Sequence, residues 1–355
     1  MKPKLLFFLM NGVGGAERMT ITIANFFDRE QYDVRYVLVQ QGDDAICQFM
    51  RKDDAIIRIP CKRIYLSTCP IYRLLRRERP QVVFCASPAI NARLIVAARL
   101  VGIIRVVVRN SNMFSFERRD VQWLMKRTYK WADCIILQQD EMREDLHRRI
   151  PRLPREKTIT LNNPIDVVHI NEGITAPNPY PKDAKAVNYL WVARFAQEKA
   201  QDVLVHAFAI VRQQQPEAQL WLVGRYNPDS EYVRKVLSVI SEKGLGESVH
   251  LVGHDSNPYR WMQHCDCFVL PSRFEGLPNA LVEAMYLGRP VVAARCLDII
   301  KEMVSEGQNG YTCEVGNAEE LADKMLLAVR LKDCKMTYQP ARKEDFINVI
   351  TGNDK

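Results

Sequence analysis

The chain has 355 residues, 47% hydrophobic and 26% charged, a balance that describes folded globular domains and excludes a disordered chain. Its net charge of +8 is unevenly placed: residues 1–165 hold 29 Lys and Arg against 17 Asp and Glu, and the remainder holds 21 against 25. No apolar run reaches the roughly 18–20 residues that span a bilayer, and residues 5–10 are too few for a signal-peptide core, so a cytoplasmic protein is expected.

In chain order, apolar runs predict strands over 4–9, 34–39, 55–59, 82–86, 106–109, 134–137 and 158–161, with helical patterns over 16–27, 71–79 and 89–101. Strands alternating with helices imply a parallel sheet covered on both faces. The pattern stops at Asn162-Asn163-Pro164-Ile165-Asp166 and the Pro- and Asn-rich stretch 175–182, which read as a linker. A second alternation follows, with strands over 188–192, 219–223, 249–252, 267–270, 291–294 and 310–313. The expected organisation is a Rossmann-like domain over 1–165, a linker over 166–185, a second Rossmann-like domain over 186–330, and a tail over 331–355. The stretch 341–350 of that short tail is helix-compatible, and two outcomes stay open for it: a return to the first domain, or a crossover that is short or absent. Ligands of such open sheets bind beyond the carboxyl ends of the strands, so the loops there carry the chemistry. Ten cysteines are scattered, and Cys265-Asp266-Cys267 lacks a second pair at metal-ligand spacing, so no metal site is expected.

Three such loops stand out. Asn11-Gly12-Val13-Gly14-Gly15-Ala16-Glu17-Arg18 follows the first strand; glycines there let backbone approach a ligand, and the next helix offers its free N–H groups. It lacks the Gly-x-Gly-x-x-Gly spacing of a dinucleotide fold and the Lys-Ser/Thr of a P-loop. Val192-Ala193-Arg194-Phe195-Ala196-Gln197-Glu198-Lys199 follows the first strand of the second half. Arg194 and Lys199 are two cations suited to neutralising a diphosphate leaving group. Pro271-Ser272-Arg273-Phe274-Glu275-Gly276-Leu277-Pro278-Asn279-Ala280-Leu281-Val282-Glu283 follows a short apolar strand. Pro278 suits a first helical turn, whose N–H groups and dipole favour an anion or a sugar oxygen. Glu275 in the loop and Glu283 one turn into the helix place acceptors at two depths, as a hydroxyl-rich ligand requires.

The Glu-x7-Glu pattern after Pro-Ser, the Gly-Gly-Ala-Glu loop, the Arg-Phe…Lys segment and the Asn309-Gly310-Tyr311 turn together resemble the retaining glycosyltransferases of family 4, which have the GT-B architecture. That resemblance implies an α/β fold of two Rossmann-like domains with parallel sheets facing a central cleft. It implies transfer of a hexosyl or N-acetylhexosaminyl group from a nucleotide-diphosphate sugar, UDP being the commoner carrier, to an acceptor hydroxyl of a glycan or lipid-linked intermediate. Neither a cofactor nor a metal is implied, and no Asp-x-Asp occurs in the chain. Carried over by motif, Glu275 holds donor-sugar hydroxyls, aided by backbone N–H groups of the Gly276, Leu277, Asn279 and Ala280 turn. Glu283 accepts from the ribose, Arg194 and Lys199 stabilise the departing diphosphate, and Gly14 and Gly15 lie near it. Gly224 and His254, at the ends of two further strands, border the base. The chain departs from the family pattern at Ala193 and Ala200, where glycines are usual, and has no first-domain histidine except His147 in a charged helix. Asn91, Arg109 and Asn110 are the acceptor-side substitutes.

The basic first half contains Arg73, Arg76, Arg77 and Arg79, and a second group of Arg118, Arg119, Lys126, Arg127 and Lys130 interleaved with Trp123, Tyr129 and Trp131. Cations among aromatics suit peripheral contact with an anionic membrane, which would place the protein at the inner face of the plasma membrane. Nucleic acid is not expected, since no continuous phosphate-tracking stripe is visible. A nucleotide-sugar epimerase of the same architecture and a non-enzymatic anionic-lipid binding protein are the alternative readings.

Overall fold

The computed structural model describes all residues except 1, 13, 41, 43, 103, 104, 183–185, 354 and 355. Val13 of the glycine-rich loop and residues 183–185 at the end of the expected linker therefore lie outside the described residues. The chain forms two compact units, Met1–Pro164 with Pro340–Lys355, and Ile165–Gln339.

The first unit holds strands β1 (Lys4–Met10), β2 (Asp33–Val39), β3 (Ala55–Ile59), β4 (Val82–Cys85), β5 (Arg105–Arg109), β6 (Cys134–Leu137) and β7 (Thr158–Thr160). Its helices are α1 (Gly15–Asn25), α2 (Thr68–Glu78), α3 (Pro88–Val101), α4 (Arg119–Thr128) and α5 (Asp140–Arg149). The strands pair in the order β3-β2-β1-β4-β5-β6-β7, all in parallel. Side chains alternate across the sheet, so Leu6 and Phe8 face one core with Ile71, Leu94 and Met125. Leu5, Phe7 and Leu9 face the other, with Ile21 and Phe27. Burial on both faces explains why these strands read as continuous apolar runs.

The second unit begins with α6 (Val167–Gly173) and continues through β8 (Val187–Val192), α7 (Gln201–Gln214), β9 (Ala218–Val223), α8 (Glu231–Glu242), β10 (Val249–Gly253) and α9 (Tyr259–His264). β11 (Cys267–Leu270), α10 (Asn279–Tyr286), β12 (Val291–Ala294), α11 (Ile299–Met303), β13 (Gly310–Cys313) and α12 (Ala318–Ala328) complete it. The order is β10-β9-β8-β11-β12-β13, again parallel.

One segment differs from expectation, and one open alternative is decided. The stretch read as a linker contains α6, capped where the Asp166 carboxylate accepts from the His169 N–H at 3.2 Å. Ile170 and Tyr180 are buried in the second core, so this stretch belongs to the second unit. The tail forms α13 (Lys343–Thr351), which lies in the first unit, with Phe346, Val349 and Ile350 buried beside Phe7 and Val107. Arg105 donates to the carbonyls of Ile350 at 3.1 Å and Val349 at 2.8 Å, satisfying the last turn of the helix.

Candidate active site

Strand order reverses between β8 and β11: the chain moves outward from β8 to β9 and β10, then returns to β11 and moves the other way. Loops leaving two such neighbours diverge and open a crevice at their carboxyl ends. The two loops concerned are the ones that carry Lys199 and Glu275. After β8 a single 3-10 turn (Gln197–Lys199) leads into α7 through Ala200, which takes the left-handed conformation at φ 55. That conformation costs an alanine about 1–2 kcal/mol, and its methyl is fully buried. After β11, Pro271 to Pro278 lead into α10.

Lys199 and Glu275, separated by 76 positions in sequence, meet: Lys199 Nζ donates to both carboxylate oxygens at 2.7 Å. The fully buried Ser272 hydroxyl donates to Glu275 Oε1 at 2.7 Å. The expected grip on sugar hydroxyls and the expected cation for a diphosphate are thus joined in one ion pair. Arg194 is separate from it: its guanidinium is exposed and pairs with Glu198 at 2.6 Å.

Arg273 is a residue that the motif reading passed over. Its backbone N–H donates to the Glu198 carbonyl at 2.8 Å, tying the Glu275 loop to the Lys199 turn. Its guanidinium makes a bidentate pair with Asp202 on α7 at 2.9 and 2.8 Å and donates to the Gln197 carbonyl at 2.8 Å. Burial alone would raise the Asp202 carboxyl; hydrogen bonds from Arg273 and Tyr232 outweigh it and hold the group below the usual carboxylate range. Arg273→Ala is expected to remove about 1.5–3 kcal/mol of stability, since hydrogen bonds to charged groups are lost and Asp202 loses its cation. A calorimetric melt should fall by about 4–10 °C. If the strap also positions Glu275, kcat for transfer drops about tenfold while the affinity for free nucleotide is unchanged; equal losses in both would make the role purely structural.

The remaining residues of the motif divide by burial. Leu277 is a core residue packed with Leu281 and Met285, so its side chain offers no donor contact. Pro278 occupies the cap position of α10, one before the expected first turn. The Asn279 N–H, one of the groups expected to hold sugar, donates to the Leu277 carbonyl at 3.0 Å. Ala280 is partly buried against the same core, and Glu283 receives the Tyr259 hydroxyl at 3.4 Å. Gly224 has a structural reason to be glycine: a Cβ would collide with the Ala193 carbonyl oxygen, and its N–H donates to the Gly253 carbonyl at 2.8 Å. His254 lies exposed in the loop after β10.

The model of Glycosyltransferase Family 4 matches residues 13–169, and that of Glycosyl transferases group 1 matches residues 186–330, which span all six strands of the second sheet and the whole Lys199–Glu275 cluster. The chain belongs to the family 4 glycosyltransferases. An uncharacterized glycosyltransferase of Methanocaldococcus jannaschii is 26% identical to this transferase over 299 residues, covering 78% of this chain and 71% of its own. The UDP-Gal:alpha-D-GlcNAc-diphosphoundecaprenol alpha-1,3-galactosyltransferase of Escherichia coli is 23% identical over 363 residues, 92% of this chain and 89% of its own. HepE of Anabaena, solved in complex with UDP and glucose, shares the fold with a TM-score of 0.80 at 20% identity over 99% of both chains. The fold of the transferase is GT-B.

In the first unit of the transferase the strand order also reverses, between β1 and β4. Gly14 caps α1 in an extended conformation at φ −131, so neither it nor the helical Gly15 is demanded by backbone strain. At Gly15 an added Cβ would meet nothing within 4 Å. Glu17, two residues on, has its carboxyl pushed up by burial. The acceptor-side expectation for Asn91, Arg109 and Asn110 needs correcting. All three side chains are buried, and one network joins the two asparagines to the Arg109 backbone: Asn91 Nδ2 donates to the Arg109 carbonyl at 3.0 Å and to the Tyr129 hydroxyl at 3.2 Å, and that hydroxyl donates to Asn110 Oδ1 at 2.8 Å. Arg109 donates to Asn163, has no partner for Nε among the described residues, and is brought down to about 9 by burial. Their polarity serves the ends of β5 and α3, because buried polar groups must pair with one another. His147 is likewise buried, its Nε2 2.8 Å from the Thr158 hydroxyl.

Proposed function

We propose that the transferase is a retaining hexosyl- or N-acetylhexosaminyltransferase that uses a nucleotide-diphosphate sugar, with UDP as the nucleotide, and glycosylates a hydroxyl of a lipid-linked or cell-surface glycan intermediate without a metal. The observation that carries this reading is the Lys199–Glu275 pair held by Ser272 at the reversal point of the second sheet. A sugar hydroxyl donating to Glu275 releases part of the hold on Lys199, whose ammonium then turns to the diphosphate. Arg194, exposed on the same loop, supplies a second cation. As the bond from the anomeric carbon to the diphosphate oxygen breaks, the acceptor oxygen bonds to the same face, and its proton passes to the departing phosphate oxygen. Positive charge placed where negative charge develops is worth most in a partly dehydrated site. Glu283 takes the ribose hydroxyls, and the open space at Gly15 leaves room for substrate at the start of α1. The UDP of the HepE complex and the diphosphoundecaprenol acceptor in the name of the Escherichia coli relative support the donor and acceptor classes. A nucleotide-sugar donor together with a lipid-linked acceptor supports a reaction at the inner face of the plasma membrane. Among the described residues no helix is long and apolar enough to cross a membrane.

The test is a melting screen of the protein and Glu283→Ala against UDP- and GDP-sugars, followed by NMR of the product's anomeric configuration with and without chelator. A saturating donor, at about 100 times its Kd, is expected to stabilise the parent by about 2.7 kcal/mol and the variant less. The product should keep the donor's configuration and form equally fast in EDTA. An inverted product, a chelator-sensitive rate or release of an epimerised donor would each overturn the proposal.

A further inference from the structure

Charge and exposed aromatic surface coincide on one part of the first unit. Residues 62–131 hold fifteen Lys and Arg against three Asp and Glu, so this segment carries more positive charge than the whole chain's +8. The same segment supplies all four of the exposed large aromatics among the described residues, Tyr65, Phe116, Trp123 and Trp131. With Leu66 and Leu100 they are between 45% and 67% exposed, far more than a packed side chain. The helices that carry them share one face of the sheet: α2 packs on α3 and α3 on α4, over the core of Leu6, Phe8, Ile71, Leu94 and Met125. Arg99 donates to the Trp131 carbonyl at 2.6 Å, which joins the end of α3, where Leu100 projects, to the end of α4.

Two features of this layer complement a bilayer surface. On α2, Cys69, Tyr72, Arg73, Arg76 and Arg77 line an open hollow of about 610 Å³, and neither Arg73 nor Arg76 has a carboxylate within ion-pair distance among the described residues. On α4, Arg127 lies 5.2 Å from the Trp123 ring centroid and Lys130 lies 5.5 Å from that of Trp131. Exposed tryptophans beside cations match the composition of an interfacial belt next to phosphate headgroups. The aliphatic Leu66 and Leu100, exposed in the same segment, suit acyl chains better than nucleic-acid bases. Aromatic insertion and a basic patch are the two signals that stable peripheral binding requires.

We propose that the α2–α4 layer is a docking surface for an anionic phospholipid membrane, with the arginines of α2 taking headgroup phosphates and Phe116, Trp123 and Trp131 entering the interface. The proposal is independent of the donor and of the mechanism. Its test is sedimentation of the full chain with vesicles of pure phosphatidylcholine or with 30 mol% phosphatidylglycerol. About 30% anionic lipid is the chosen probe because each Lys or Arg near such a surface contributes roughly 1 kcal/mol. Binding to the anionic vesicles is expected, with little to the neutral ones and weakening as salt rises. The triple variant Arg73→Gln, Arg76→Gln, Arg77→Gln should lose about 100-fold in partitioning by that same increment. Phe116→Ala with Trp123→Ala and Trp131→Ala should lose tenfold or more, and the tryptophan emission of the parent should shift to the blue on binding. All six side chains are exposed or partly so, and an unchanged melt with an unchanged donor-induced shift shows that both variants remain folded and that the donor reading stands or falls separately. Equal binding to neutral vesicles, parental binding by either variant, or preference for a single-stranded RNA oligomer over anionic vesicles would overturn the proposal.

Discussion

Lys199→Ala should abolish most of the transfer activity while leaving a folded protein. In the proposed mechanism the ammonium meets charge on a departing diphosphate, and removal of one such stabilising group costs about 10²–10³ in kcat. The same substitution acts on stability by a different route. Glu275 has only 7% of its side chain exposed and, among the described residues, would be left with the Ser272 hydroxyl. Breaking a buried pair from one side costs about 3–5 kcal/mol, and the 18% exposure of Lys199 argues for the low end of that range. The double variant Lys199→Met, Glu275→Leu removes both charges, so its melting temperature should recover most of the single variant's loss while its activity stays as low or lower. Calorimetry beside single-turnover kinetics separates the two effects. A double variant no more stable than Lys199→Ala, or a single variant within tenfold of parental kcat, would remove the ion pair from the account.

Gly224→Ala is expected to have the largest effect on folding of any one-carbon change considered. Gly224 follows β9 and crosses the end of β8, where the Ala193 N–H donates to the Val223 carbonyl at 3.1 Å. A Cβ there runs into the Ala193 carbonyl oxygen, which is backbone and cannot rotate away. Overpacking against rigid surroundings costs about 1–3 kcal/mol and more where backbone must shift, so about 3 kcal/mol or above is expected. For a unit of this size that is a fall of roughly 6–12 °C, read by calorimetry, with protease sensitivity appearing first in the second unit. Gly15→Ala provides the contrast. Its Cβ enters open space and its backbone is helical, so its melt should stay at or above the parental value. Any loss of donor binding in Gly224→Ala would then report a damaged sheet, whereas a loss of transfer in Gly15→Ala would report an obstructed substrate. If Gly224→Ala melts with the parent, the close approach of β8 and β9 is looser than these contacts imply.

Much of the fold was legible because parallel strands buried on both faces must be apolar throughout. Ala55–Ile59, Cys134–Leu137, Cys267–Leu270, Val291–Ala294 and Gly310–Cys313 coincide with the apolar runs that predicted them. The helix α6 was hidden because its seven residues lie among Asn and Pro, and its one signal was Asp166 three positions before His169. The tail helix α13 was legible as a helix, but its site of attachment depends on Arg105, whose guanidinium reaches its last carbonyls from more than 240 positions away.

The sequence by itself determined the family, the two alternations of strand and helix, and the loops where chemistry would gather, since each of these rests on local spacing and on residue type. Tertiary structure alone decided what the charged and polar groups do. It joined Lys199 to Glu275 and Arg273 to Asp202, it turned Leu277 into the core, and it enclosed Asn91, Arg109 and Asn110 among one another. A motif states which groups lie near one another along the chain. Whether a charge faces solvent, a ligand or an opposite charge is set by which strands are neighbours, because an ion or a hydrogen-bonding group removed from water must find its partner wherever the sheet order places one.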